Sequence, residues 1–140
     1  MITRTSLHSI RALVCLARQP EGAYAGAGTL AREIDAPPNY LGKLLQTLAR
    51  AGLVESRKGL RGGFRLAGDP ARISLLEIIE PIEHVSRWDG CFLGGAPCSE
   101  KDPCVMHDRW GALRDAYLEL LAETTVADLK ERPGHGGRSQ

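Results

Sequence analysis

Two consecutive prolines, Pro37 and Pro38, constrain this chain more than any other pair of residues. Asp35, Ala36 and Pro37 make a tight turn, and Pro38 suits the first position of a new helix, where a missing N–H costs nothing. Leu41, Leu44, Leu45 and Leu48 then recur at three- and four-residue steps, which builds one apolar helical face. Gly52 stands where such a helix ends in left-handed backbone. Ahead of the turn, Thr29 is placed to cap a short helix carrying Leu30, Ala31 and Ile34. A short helix, a three-residue turn and a longer amphipathic helix form the helix-turn-helix pattern, whose second helix enters the DNA major groove. Asn39, Tyr40 and Lys43 open that second helix and are its candidate DNA contacts.

The flanking segments extend the pattern. Upstream, Leu7, Ile10, Leu13, Val14 and Ala17 repeat at helical spacing, with Thr5 or Ser6 as cap and His8 and Arg11 on the exposed side. Downstream, Leu53 and Val54 begin a short strand and Phe64-Arg65-Leu66 returns, joined by the glycine-rich tip Arg57-Lys58-Gly59-Leu60-Arg61-Gly62-Gly63. This is a two-stranded wing directly after the recognition helix, and Arg57, Lys58 and Arg61 on its tip suit a phosphate backbone or the minor groove. Charge divides accordingly. Residues 39–65 carry six bases against Glu55 alone, a net of +5, whereas residues 66–140 carry thirteen acids against eight bases, a net of −5. Such a split implies one half that binds an anion and one that stays clear of it.

Ser74 and Glu77 form a capping box for a helix bearing Leu75, Leu76, Ile78, Ile79 and Ile82, which Pro81 bends or ends. Next comes CFLGGAPCSEKDPCVMH, residues 91–107, where Gly94, Gly95, Pro97 and Pro103 exclude a continuous helix or strand. Cys91, Cys98, Cys104 and His107 are therefore free to converge on a common point. The same four donors satisfy tetrahedral zinc or an iron–sulfur cluster, and two of the thiols can alternatively form a reversible disulfide. Cys104 and His107, three residues apart, share one side of a helical turn. Cys15 lies in an apolar helical pattern and reads as a small core residue.

Trp110, Leu113, Tyr117, Leu120 and Leu121 repeat along a final long helix to about Thr124, an apolar seam suited to a dimer interface. Thr125 and Asp128 cap one last short turn, and the tail after Arg132 is expected to be disordered. The chain of 140 residues is thus mainly α with a small β wing. It divides into a winged helix-turn-helix domain (1–82), a cysteine-rich loop (83–107), a dimerisation helix with a short terminal helix (108–131) and a tail (132–140). No run approaches a membrane span and no secretion signal opens the chain, so a cytoplasmic protein is expected. No nucleophile motif, phosphate loop or paired acidic cleft suggests an enzyme.

The opening helix, Asn39-Tyr40-Leu41, the Gly52-Leu53-Val54 that follows, the wing ending Gly62-Gly63-Phe64, and a three-cysteine loop before a Trp-bearing helix together resemble the Rrf family of bacterial transcription regulators. The resemblance covers residues 1–131 and points to the branch that senses iron–sulfur status, redox state or nitric oxide. It implies an iron–sulfur cluster rather than zinc, with Cys91, Cys98 and Cys104 as thiolate ligands and His107 as the fourth. His8, contributed by the other subunit, is the alternative fourth ligand. It further implies a homodimer on a pseudo-palindromic double-stranded DNA site. This chain departs from the pattern in three places: six residues separate Cys91 from Cys98 instead of five, Gly42 replaces an acid, and Lys58 replaces an arginine on the wing.

Overall fold

The computed structural model describes residues 2–88, 90–94 and 100–131. Cys98 and the C-terminal tail lie outside the described residues. The order of elements is α1 (Arg4–Ala17), α2 (Ala27–Ile34), α3 (Pro38–Arg50), β1 (Val54–Arg57), β2 (Gly63–Leu66), α4 (Leu75–Glu83), α5 (His107–Glu123) and α6 (Val126–Glu131).

Helix α1 occupies the centre and touches α2, α3, β2, α4 and α6. Its cap is Thr3, whose hydroxyl accepts the Ser6 N–H at 3.1 Å, not Thr5 or Ser6. Ser6 is fully buried instead and donates its hydroxyl to the Glu83 carboxylate of α4. A buried serine needs such a partner, because an unpaired hydroxyl away from water costs more than a net hydrogen bond returns. Helix α2 begins at Ala27 after Gly26, with no side-chain cap, so Thr29 lies within the helix and does not start it. Asp35 ends it in left-handed backbone at φ 55°.

The double proline acts as expected: Pro37 is the extended residue before α3 and Pro38 its first residue. Leu41, Leu44, Leu45 and Leu48 are all buried. At the other end Gly52 has φ +82°; its N–H donates to Ala49 O and that of Leu53 to Leu48 O, both at 3.0 Å. This paired closure satisfies carbonyls that the helix end would otherwise leave open.

The wing is a two-stranded antiparallel sheet in the register Val54↔Leu66, Glu55↔Arg65, Ser56↔Phe64 and Arg57↔Gly63. Ala25 forms an isolated bridge to β2, exchanging two main-chain hydrogen bonds of 2.8 Å with Phe64. Gly63, at φ +136°, is required at this junction, since a Cβ there would stand 2.4 Å from the Ala25 carbonyl oxygen.

Ser74 and Glu77 form the expected capping box. Pro81 does not end α4, which continues to Glu83 before His84 turns left-handed at φ 50°. Main-chain hydrogen bonds of 2.9 Å from Leu75 to Thr124 and from Val126 to Ile73 tie the start of α4 to the junction of α5 and α6. The apolar seam expected along α5 is in fact divided. Trp110, Tyr117 and Leu121 turn inward to differing degrees, whereas Leu113 and Leu120 remain 57% and 58% exposed. Among the described residues no helix is long and apolar enough to cross a membrane.

The Gly63 contact makes a prediction. Gly63→Ala should lower the free energy of unfolding by roughly 1–3 kcal/mol, while Gly28→Ala, where an added Cβ meets nothing within 4 Å, should be neutral or stabilise by up to about 1 kcal/mol. Denaturant melts of the two variants check this, and equal stability would contradict the close approach.

Candidate nucleic-acid interface and cysteine cleft

Helix α3 shows two faces. Its leucines point into the core, while Asn39 and Lys43 are exposed and Tyr40 is half-buried. Gln46 and Arg50 are exposed as well and continue the Asn39–Lys43 row. The spacing of 39, 43, 46 and 50 is that of one helical stripe, a signal present in the sequence that a focus on the first turn passes over. Gly42 is not forced by packing: a Cβ there would meet only Ala27 Cβ at 3.8 Å, an ordinary contact.

On the wing Arg57, Lys58 and Arg61 are exposed. Arg57 lies over the Tyr24 ring at 5.7 Å, and Arg65 lies over the same ring at 4.7 Å. Arg65 also donates to Glu55 at 2.7 Å, so that arginine is engaged within the hairpin. Tyr24 therefore braces the root of the wing through two guanidinium contacts.

His8 is not exposed, as the helical pattern suggests, but only 9% accessible. Its Nδ1 stands 3.4 Å from the Tyr40 hydroxyl, and the two rings meet edge to face at 5.6 Å. The reason is local: α3 packs its first turn against α1, so Tyr40 covers the position. Burial lowers the His8 pKa, the cations of Arg11 and Arg4 lower it further, and Asp35 opposes them. Cys15 is half-buried in α1, its pKa pushed up to about 11 by burial and by the neighbouring Glu33 carboxylate. Its thiol is thus a packed and protonated group, in keeping with a structural role.

The cysteine loop is anchored at both ends. Cys91 Sγ and Cys104 Sγ stand 3.5 Å apart, and each residue is half-buried. Cys104 sits in a turn just ahead of α5, not within a helix, and its carbonyl accepts the N–H of His107, the first residue of α5, at 3.1 Å. Cys91 and His107 line one small cleft with Gly90, Phe92, Trp110 and Arg114. Two thiolates on one tetrahedral ion with bonds of about 2.3 Å stand roughly 3.8 Å apart, so the Cys91–Cys104 separation fits two ligands of a single iron or zinc. Among the described residues no third acid, cysteine or histidine completes a metal site with them. Cys98, the remaining thiol of the set, lies outside those residues.

The cleft is joined to the body by polar contacts. Trp110 Nε1 donates to Gly90 O, and Arg114 Nη1 donates to Trp88 O, both at 3.1 Å. Trp88 stacks on Tyr117 with centroids 5.7 Å apart and planes 12° from parallel. The buried Tyr117 hydroxyl has no hydrogen-bond partner among the described residues. Desolvation raises its pKa, as does the Glu83 carboxylate that accepts from Ser6.

Residues 2–132 match the Rrf2 family, described as an iron-dependent transcriptional regulator. A protein of Synechocystis sp. named as an HTH-type transcriptional regulator is 35% identical over 128 residues, covering 91% of this chain and 86% of the relative. The HTH-type transcriptional regulator NsrR of Shouchella clausii is 31% identical over 134 residues, covering 91% and 87% respectively. Among solved structures, CymR, the global cysteine regulator of B. subtilis, superposes with a TM-score of 0.78 at 25% identity, over 96% of this chain and 98% of that one. IscR of T. potens superposes with a TM-score of 0.76 at 24% identity, over 100% and 93%. The fold is thus the winged helix-turn-helix of these regulators.

The buried histidine makes stability depend on pH. Its folded pKa lies below the ordinary 6.5, so as pH falls through that value the unfolded chain takes up a proton that the folded chain resists, and stability drops. Between about pH 7.5 and about pH 5.5 the parent should lose more unfolding free energy than His8→Gln. Parallel losses in the two proteins would show that His8 is not the cause.

Proposed function

The chain belongs to the Rrf2 family of transcriptional regulators, and on that premise we propose that it is a homodimeric DNA-binding switch controlled by an iron–sulfur cluster held by Cys91, Cys98, Cys104 and His107. It is a regulator and not an enzyme. The observation that carries the proposed control is the approach of two sulfurs, Cys91 Sγ and Cys104 Sγ, to 3.5 Å ahead of α5, with His107 lining the same cleft as Cys91. Their separation suits two ligands of one metal ion, and the loop between them supplies the third thiol. His8, engaged with Tyr40 in the core, is less available as a ligand to a partner, which supports His107.

The DNA-reading surface is the exposed row Asn39, Lys43, Gln46 and Arg50 on α3, with Lys58 and Arg61 on the wing. Lysine and arginine here neutralise phosphates, while asparagine and glutamine suit base edges in the major groove. The outward leucines of α5, Leu113 and Leu120, lie seven residues apart on one side of the helix, with the exposed Ala116 between them. A second copy packing there would remove this apolar stripe from water and set two α3 helices at a fixed spacing, the geometry that reads a pseudo-palindrome.

When bound, a cluster supplies a redox-active centre tuned by its one non-thiolate ligand and by solvent access. The chain's own residues transmit its presence. Trp110 and Arg114 hold the carbonyls of Gly90 and Trp88. Trp88 bears on Tyr117. Tyr117 feels the charge of Glu83, which accepts from Ser6 of α1, and two residues along the same helix His8 meets Tyr40 at the start of α3. A loop ordered around its ligands holds this series of contacts in one arrangement, and a loop released from them relaxes it.

Protein purified without oxygen should be brown and contain iron and acid-labile sulfide; a colourless preparation with stoichiometric zinc and no iron would overturn the cluster. Cys104→Ala should lose the cluster yet remain a dimer by analytical ultracentrifugation. If its affinity for operator DNA equals that of the cluster-loaded parent, the coupling is wrong. Lys43→Ala should weaken DNA binding and reduce the slope of log affinity against log salt by about one; a slope identical to the parent's would remove Lys43 from the interface.

A further inference from the structure

The tip of the wing carries a leucine with nothing to pack against. Leu60 is 102% exposed, a full leucine side chain in water. Among the described residues the other large exposed hydrophobic side chains, Phe92, Leu93, Val105, Leu113 and Leu120, lie in the cysteine loop, its approach to α5, or α5 itself. Leu60 stands apart from them on the basic hairpin, between the exposed cations Lys58 and Arg61.

Its exposure is built in by the backbone. The Gly62 N–H closes the tip on the Gly59 carbonyl at 3.0 Å, with Gly59 in left-handed backbone at φ +101°. A Cβ on Gly62 would lie 2.1 Å from the Arg57 carbonyl oxygen, so the chain crosses itself as closely as glycine allows. Below this, Arg57 pairs with Gly63, and Phe64 is clamped to Ala25. The turn therefore presents residue 60 outward and gives it no apolar surface to fold back on.

We infer that Leu60 is a specificity-determining residue: the wing tip lays it into the minor groove, where it favours A·T over G·C base pairs. The inference rests on the DNA-binding reading given above and goes beyond it, since cations alone neutralise phosphates without telling one base pair from another. Lys58 and Arg61 flank the leucine as two phosphate strands flank a minor groove. Between those strands the groove walls are sugar edges, an apolar surface within reach of the tip, and aliphatic side chains inserted there are a recurrent device. The floor presents only acceptors at A·T pairs. At G·C pairs the guanine 2-amino group rises into the groove and adds a donor that leucine obstructs and cannot satisfy. Removing an aliphatic side chain from water is favourable wherever the groove admits it.

The test uses the full-length protein and a duplex that it selects from a random pool, with the wing positions located by hydroxyl-radical footprinting. Three versions of that duplex carry A·T, G·C or inosine·C pairs at those positions, inosine being guanine without its 2-amino group. The parent should bind the A·T and inosine·C duplexes alike and the G·C duplex roughly tenfold more weakly. Leu60→Asn should bind all three equally, and Leu60→Met should keep the preference, both with the parent's salt slope because the cations are untouched. Because residue 60 touches nothing, both variants should show the parent's thermal melt. If the parent does not distinguish G·C from inosine·C, or Leu60→Asn keeps the preference, the inference is overturned, and the leucine is then left to contact a protein. A parent that selects no duplex at all overturns the DNA-binding reading itself, and this inference with it.

Discussion

Helix α1 is the element on which the others depend, because it is buried along most of its circumference. It carries Leu13, Ala12 and Leu16 into the core and brings Ser6, His8 and Ser9 in with them. Polar side chains in such a place must find partners inside the protein. Ser9 turns back to the Thr5 carbonyl at 2.9 Å, Ser6 reaches Glu83 on α4, and His8 reaches Tyr40 on α3. Two of these three bonds leave α1 in different directions, one toward the half that carries the cysteines and one toward the half that faces DNA. A helix held this way is poorly suited to absorbing a shift on one side without passing it to the other, since close-packed cores exchange between discrete arrangements and do not deform smoothly.

The second half of the chain is built as a closed excursion. The hydrogen bonds between residues 73–75 and 124–126 bring the start of α4 and the end of α5 together, so everything between them must leave and return. Cys91 and Cys104 meet near the far end of that excursion, where Trp110 and Arg114 hold the main chain of residues 88 and 90. Segments placed far from the core are the less stable parts of a protein. Charge follows the same division. Residues 39–65, from α3 through the wing, carry a net charge of +5, whereas residues 66–140 carry a net −5, a division along the chain that suits a polyanion at the first of the two.

Much of this architecture was legible in the sequence because the signals were local. Pro38 at the first position of α3, the leucines behind it, Gly52 after it and the Ser74–Glu77 capping box each depend on a few neighbouring residues, and each stands as read. The errors were of another kind. Thr3, and not Thr5 or Ser6, caps α1 because Ser6 is needed for Glu83, seventy-seven residues away. Helix α2 starts earlier than Thr29, at a glycine with no capping side chain, because Ala25 is drawn into the wing by Phe64. Of the two readings of Pro81, that it bends or that it ends α4, the second does not hold: the helix runs on to Glu83, whose carboxylate takes the Ser6 hydroxyl. In the first two cases a distant partner stands where a local capping preference worth about 1 kcal/mol pointed elsewhere.

The sequence by itself determined the elements, the chemistry of the donors and the basic tip: periodicity, prolines, glycines and residue types are properties of short stretches. Tertiary structure alone decided which side chains face which neighbours. It buried His8 under Tyr40, divided the apolar residues of α5 into an inward and an outward set, brought Cys91 to within 3.5 Å of Cys104, and left Leu60 with no neighbour. Spacing along a helix says that two residues share a side. Only the packing of other helices says whether that side meets water or the core.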